Sequence, residues 1–184
     1  MHDERNRTRF CTFYLGDLCL GMPVEEVQEV ICYQRMTRVP LAPKEVSGLI
    51  NLRGEIVTAV DLRKRLGMDD RAPGHLPMNV VLRDGDEGAV SLLVDDLGDV
   101  LDVEPDNFEV PPDTIDRSTR ELIKGVYKRP ECLLLVLDID KALEPASLAS
   151  PPRERCDELD SPSIQSATNN PGPEPRQGHQ RVRK

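Results

Sequence analysis

The sequence predicts an all-β protein made of two copies of one small β unit, each copy suggesting a small closed barrel. Two observations carry this. Between residues 9 and 144 the apolar runs are short, rich in Val, Ile and Leu, and interrupted by Gly, Pro and Asp, a pattern of strands rather than long helices. The same stretch also repeats itself. Met22 to Ile31 matches Leu92 to Leu101 in apolar and acidic pattern at a constant offset of 70. The run 48–66 matches 125–143 at an offset of 77, pairing Gly48 with Gly125, Ile56 with Leu133, Val60 with Leu137, Asp61 with Asp138 and Lys64 with Lys141. A copy of about 70 residues is near the lower limit for independent stability, so the two are expected to pack together.

In chain order the expected strands are 10–15 and 18–22, then 48–52 and 56–60, then 79–82 and 89–94, then 123–127 and 132–137. Asp84-Gly85-Asp86-Glu87-Gly88 reads as a hairpin turn, and 97–103 as a further strand-like run. Short helices are expected only at 62–66 and 139–143, where Asp61 and Asp138 stand in N-cap position. The two barrel subdomains are expected to meet near 68–78. Residues 1–8 are expected to be a disordered N-terminus. From Pro145 onward Pro recurs, aromatics vanish and Ser, Asn, Gln and Arg fill the gaps, so 145–184 reads as a disordered tail.

Charge and composition narrow the function. The 184 residues carry 24 Lys+Arg against 33 Asp+Glu, a net charge of -9, which repels a phosphate backbone. The tail holds six bases and five acids, so the acidity belongs to the folded part. Nucleic acid is not an expected partner, and no apolar run is long enough to insert in a membrane. His2-Asp3-Glu4-Arg5 after Met1 is unlike a secretory signal, and a cytoplasmic location is expected. Cys11, Cys19, Cys32, Cys132 and Cys156 are odd in number and form no C-x-x-C pair, so they read as buried or idle thiols rather than a disulfide framework or zinc site. His2 and His179 lie near the ends and His75 sits in a Pro- and Gly-rich loop, which leaves a histidine relay little to work with.

No nucleotide, hydrolase or metalloprotease motif occurs. Asp84-x-Asp86-x-Gly88 lacks the Gly and the terminal Glu of a calcium loop, having Ala89 and Asp95 in those places. Asp95-Asp96 is similar to the acid pair that holds magnesium in phospho-receiver domains, but a strand-like run follows it where a helix is needed. An acid-pocket phosphotransfer protein built on Asp95 and Asp96 is therefore the enzyme-like rival. The expectation is a protein with no catalytic residues, no metal and no cofactor.

The distinctive stretch runs from Ser47 to Gly67, two apolar segments joined at Arg53-Gly54. Gly54 allows a positive φ there, and Arg53 beside it cannot be buried among the apolar neighbours, so its guanidinium is expected at the surface. At these residues the chain resembles the CheW-like chemotaxis coupling proteins. The similarity spans residues 9–144 and rests on Gly48-Leu49-Ile50-Asn51-Leu52-Arg53-Gly54, Val60-Asp61-Leu62-Arg63, Val94 to Leu101, Ile123-Lys124-Gly125-Val126 and Leu137 to Lys141. The family usually has Pro followed by Val or Ile where this chain has Thr58-Ala59.

The resemblance implies two five-stranded SH3-like barrels with short helices around a shared hydrophobic centre. It implies a non-enzymatic adaptor, recruited to receptor arrays, that joins chemoreceptor tips to the regulatory domain of a CheA-type histidine kinase. The helical hairpin of the receptor tip would lie near Gly48, Asn51, Arg53 and Gly54. The CheW-like domain of the kinase would bind through apolar residues, with Val27, Val30 and Ile31 as candidates. Such contacts would be small, below about 1,200 Å² in total, with array geometry supplying avidity. A scaffold of a chemosensory-like pathway not serving motility is the alternative among binding functions.

Overall fold

The computed structural model describes residues 8–83, 88–130 and 132–147. Of the ends expected to be disordered, 1–8 and 145–184, the stretches 1–7 and 148–184 lie outside these residues, as does most of the Asp84–Gly88 turn, whereas Thr8 is in a strand and 145–147 are in a helix. Along the chain the order is β1 (Thr8–Leu15), β2 (Leu18–Pro23), β3 (Val27–Ile31), β4 (Val46–Leu52), β5 (Glu55–Asp61), α1 (Leu62–Arg65), β6 (Met78–Leu82), β7 (Val90–Val94), β8 (Asp96–Val103), β9 (Phe108–Glu109), α2 (Arg117–Glu121), β10 (Ile123–Lys128), β11 (Leu133–Leu137) and α3 (Ile139–Ser147).

Strands form where the apolar runs are, with bounds shifted by a residue or two. The structure adds β3, β9 and α2 to the expected elements. The last two are short and mostly exposed, so no apolar periodicity marks them. Two mixed sheets result, ordered β8-β1-β2-β11-β10-β9 and β3-β6-β7-β5-β4. The first sheet has six strands rather than five, because Phe108 and Glu109 pair with Tyr127 and Val126 as a two-residue edge.

The repeat is visible in the topology, but the boundary between copies is not a boundary between sheets. Hairpin β1–β2 joins strands of the second copy, with β1 antiparallel to β8 and β2 parallel to β11. Hairpin β6–β7 mirrors it, with β6 antiparallel to β3 and β7 parallel to β5. Each copy thus completes the other's sheet. The parallel β5–β7 ladder also bears on the Thr58 departure. The Thr58 N–H donates to the Ala89 carbonyl at 3.0 Å, a bond that a proline could not make.

The continuous apolar runs follow from burial on both strand faces. On β11, Leu135 and Leu137 enter the main core while Leu134 and Val136 enter a second one with Phe10, Cys19, Val103 and Tyr127. The main core takes Phe13, Leu20 and Met22 from one sheet and Val60, Val80, Leu92 and Val94 from the other, so the two sheets share it. A third cluster, Ile50, Val57 and Ala89, belongs to the second sheet alone. Buried polar groups are satisfied where the strands bring them together. Ser91 donates to Asn79 Oδ1 at 3.2 Å, and Asn79 Nδ2 donates to the Cys32 carbonyl at 3.1 Å.

The paired glycines of the repeat occupy equivalent places. The β4–β5 register shifts between Val46 and Gly48, and the β10–β11 register between Ile123 and Gly125. At both, a preceding segment crosses closely: the Thr37 main chain over Gly48, the Phe108 ring over Gly125. Phe108 also packs on Tyr127 with ring centroids 5.2 Å apart. Gly125→Ala is expected to push that half-exposed ring aside and cost about 1–2 kcal/mol by overpacking, read as a lower urea midpoint. An unchanged midpoint would mean that β9 contributes nothing to the sheet.

Candidate interaction site

The tip of the β4–β5 hairpin is a two-residue turn in which both central residues have positive φ, Arg53 at 55° and Gly54 at 92°. This is the twist that a tight hairpin requires. Glycine adopts it freely, whereas Arg53 is held there, and Asn51 Oδ1 helps by accepting the Gly54 N–H at 2.9 Å. The Arg53 side chain is 75% exposed, and its Nη2 lies 2.8 Å from Glu29 Oε2. Glu29 belongs to β3, the far edge of the same sheet, so the sheet curls until its two edge strands meet at this ion pair. Exposure of one partner keeps the pair's contribution to stability small.

The four residues expected at the receptor contact divide. Asn51, Arg53 and Gly54 are exposed at the tip, and Ile56, opposite Asn51 in the register, is 58% exposed beside them. Gly48 is buried further down β4 under the Thr37 main chain, away from the exposed tip. Of the apolar trio on β3, Val27 and Val30 are half-buried against the main core, and Ile31 is half-buried beyond it. Sequence reasoning missed Glu29, which is 24 positions from Arg53 and carries no local signal, and Ile56, whose apolar run reads as core. It also missed Leu97 and Val100 on β8. The offset of 70 places these opposite Val27 and Val30 in the repeat, and they are 37% and 58% exposed.

Asp95, read from sequence as half of a possible acid pair, is a buried clasp. Its carboxylate accepts the Gly16 N–H at 2.7 Å and Arg63 Nε at 2.8 Å, and Arg71 Nε lies 2.8 Å from Oδ1. Arg71 also pairs with Asp61 Oδ2 at 2.7 Å, while Asp61 Oδ1 caps α1 by accepting the Arg63 N–H at 3.1 Å. Burial alone would raise the Asp95 pKa, but the Arg63 guanidinium, the Gly16 N–H and Arg71 outweigh it and hold the group below its ordinary value. Asp96 is exposed on β8. Among the described residues no group of three or more His, Cys, Asp or Glu is placed to hold a metal, and no helix is long and apolar enough to cross a membrane. The Cys19 thiol, buried and beside Cys132, is pushed up to about 12, which keeps it protonated and unreactive.

The family model of the CheW-like domain matches residues 9–146. The chain belongs to the CheW-like family. It is 30% identical over 138 residues to the chemotaxis protein CheW of Treponema pallidum, covering 71% of this chain and 78% of that one. It is 29% identical over 140 residues to CheW of Klebsiella aerogenes, covering 76% and 84%. Among solved structures, the scaffolding protein TtCheW from Thermoanaerobacter tengcongensis superposes with a TM-score of 0.65 at 25% identity, over 76% of this chain and 89% of that one. CheW-like membership accounts for the mainly-β architecture of two sheets.

Proposed function

We propose that this chain is a non-catalytic chemotaxis adaptor, cytoplasmic and recruited to receptor arrays, that couples chemoreceptors to a CheA-type histidine kinase. The observation that carries the reading is the hairpin tip. It presents an exposed cation, Arg53, held in a constrained backbone conformation next to the amide of Asn51 and the apolar face of Ile56. A helical hairpin with an acidic and apolar stripe is complementary to such a tip, and receptor tips are helical hairpins in the systems the family serves. Family membership and the relatives named for chemotaxis support this assignment. The regulatory domain of the kinase would engage edge-strand apolar residues, Val27, Val30 and Ile31 on β3.

Arg53→Glu is expected to weaken binding of a receptor-tip fragment by about tenfold or more, since it reverses a charge used in a charge-assisted contact. It also sets two carboxylates together at Glu29, yet stability should move by only about 1 kcal/mol at an exposed site. Fragment affinity and unfolding midpoint measured together decide the matter. A variant that stays folded and binds normally would show that Arg53 only ties β4–β5 to β3.

A further inference from the structure

Between β3 and β4 the chain runs through a 14-residue connection, residues 32–45, long for a structureless link inside a compact domain. It is nonetheless firmly held. Thr37 and Leu49 exchange both main-chain hydrogen bonds at 2.8 Å, the Val46 N–H donates to the Pro43 carbonyl at 3.0 Å, and the Asp61 N–H donates to the Glu45 carbonyl at 2.7 Å. At its outer turn Leu41 has a positive φ of 63° and is fully exposed, a strained apolar residue of the kind found at ligand clamps. Beneath the loop lies a cavity of about 500 Å³, within the range of small-molecule sites.

The charges around this cavity run against the protein's net charge of -9. Arg38, Lys44, Lys64 and Arg71 line it, with Asp61 as the one carboxylate in the lining. Asp61 is neutralised by Arg71, which also serves Asp95. Arg38, Lys44 and Lys64 form no ion pair among the described residues, so three cations surround the space uncompensated. Tyr33, 39% exposed, supplies an aromatic wall. Cations spread round a concave site add their potentials within it and favour a multiply charged anion over chloride.

We propose that this cavity binds a compact organic phosphate of at least two negative charges attached to a flat ring, the class to which nucleoside diphosphates belong. Lys44 and Lys64 act as point charges on the phosphates, Arg38 as the forked donor, and Tyr33 as the stacking surface for the ring. The lining takes in Val46 and Ser47 at the start of β4 but none of the residues assigned to protein partners, and an occupied cavity would stiffen the 32–45 loop that crosses Gly48 at the base of the tip.

The test is calorimetric titration of the full chain with adenosine diphosphate and with inorganic pyrophosphate at matched low ionic strength. Saturable binding of one equivalent is expected, tighter for the diphosphate nucleoside than for pyrophosphate. Lys44→Gln with Lys64→Gln should raise the Kd by about tenfold or more. Lys124→Gln on β10, outside the cavity lining, should leave it unchanged. Tyr33→Ala should erase the advantage of the nucleotide over pyrophosphate. No saturable heat with either probe, undiminished binding by the double variant, or an equal loss on Lys124→Gln would overturn the site. A nucleotide advantage that survives Tyr33→Ala would overturn the ring assignment. Should the double variant not fold, Lys44→Gln alone, at an exposed loop residue, is titrated in its place, and an unchanged Kd would overturn the site equally.

Discussion

Asp95→Ala is expected to cost about 3–5 kcal/mol of folding stability, the range seen when one partner of a buried ion pair is removed. The loss is large because the half-buried Arg63 guanidinium would lose its carboxylate partner, Arg71 would keep only Asp61, and the Gly16 N–H would lose its acceptor. Three separate segments meet at that side chain: the β1–β2 turn, α1 and the connection that precedes β6. Asp95→Asn keeps an acceptor for Gly16 but not the charge, so a smaller loss is expected from it. The same geometry sets a pH dependence. Since the folded pKa lies below the ordinary carboxyl value, the ionised group's stabilisation is complete above about pH 4 and is lost as pH falls through the folded pKa. Urea midpoints from about pH 7 down to about pH 2 should fall steeply below about pH 4 in the wild type and more gently in Asp95→Asn. Equal acid slopes in the two proteins would show that the clasp carries no net charge stabilisation.

Gly48→Ala is the second substitution from which a large effect follows. A Cβ at that position would lie 2.5 Å from the Thr37 carbonyl oxygen, and the obstacle is main chain rather than a movable side-chain end. The φ of 151° adds strain of its own for an L residue. Relief requires lifting the 32–45 loop from β4, which breaks the paired Thr37–Leu49 hydrogen bonds. Strain of about 1–3 kcal/mol and two hydrogen bonds of about 0.5–1.5 kcal/mol each bring the expected loss to about 2–6 kcal/mol. Gly54→Ala is the informative control. It also has positive φ but meets nothing within 4 Å, so only about 1–2 kcal/mol of backbone strain is expected. If Gly48→Ala costs no more than Gly54→Ala, the loop crossing is loose and the cavity beneath it is not preformed.

What was legible in the sequence follows from how far apart the causes of each feature lie. Strand positions could be read because each apolar run carries its own signal. The run 132–137 announces a strand without any knowledge of its neighbours. The turn at Arg53-Gly54 was equally local. The Glu29 partner of Arg53 was not, because it depends on β3 and β4 being opposite edges of one curled sheet. Asp95 shows the same limit. Next to Asp96 in sequence it resembles half of a metal-binding pair, whereas in the fold the two diverge, one turned inward to Arg63 and Arg71 and the other outward on β8. Leu97 and Val100 are a different case. The repeat offset already paired them with Val27 and Val30, and carrying that offset through to the apolar candidates would have found them.

The exchange of hairpins between the two copies bears on how the protein is made. Strand β2 finds its parallel neighbour only when β11 arrives, with Cys19 opposite Leu134, and β1 must wait for β8. At ribosomal rates of about 5–20 residues per second, the first hairpin waits about 6–23 seconds for β11 after it emerges. During that time Phe13, Leu20 and Met22 can reach only the part of the shared core, such as Val60 and Val80, that has already emerged, and their own sheet stays incomplete. Neither half is therefore expected to stand as a finished intermediate before the last strand is out. A chain cut between the copies would yield two fragments that each lack the strands flanking their own hairpin. Such fragments have one route to completion, which is to trade hairpins with one another, so their association would be a folding reaction and not the docking of two preformed bodies.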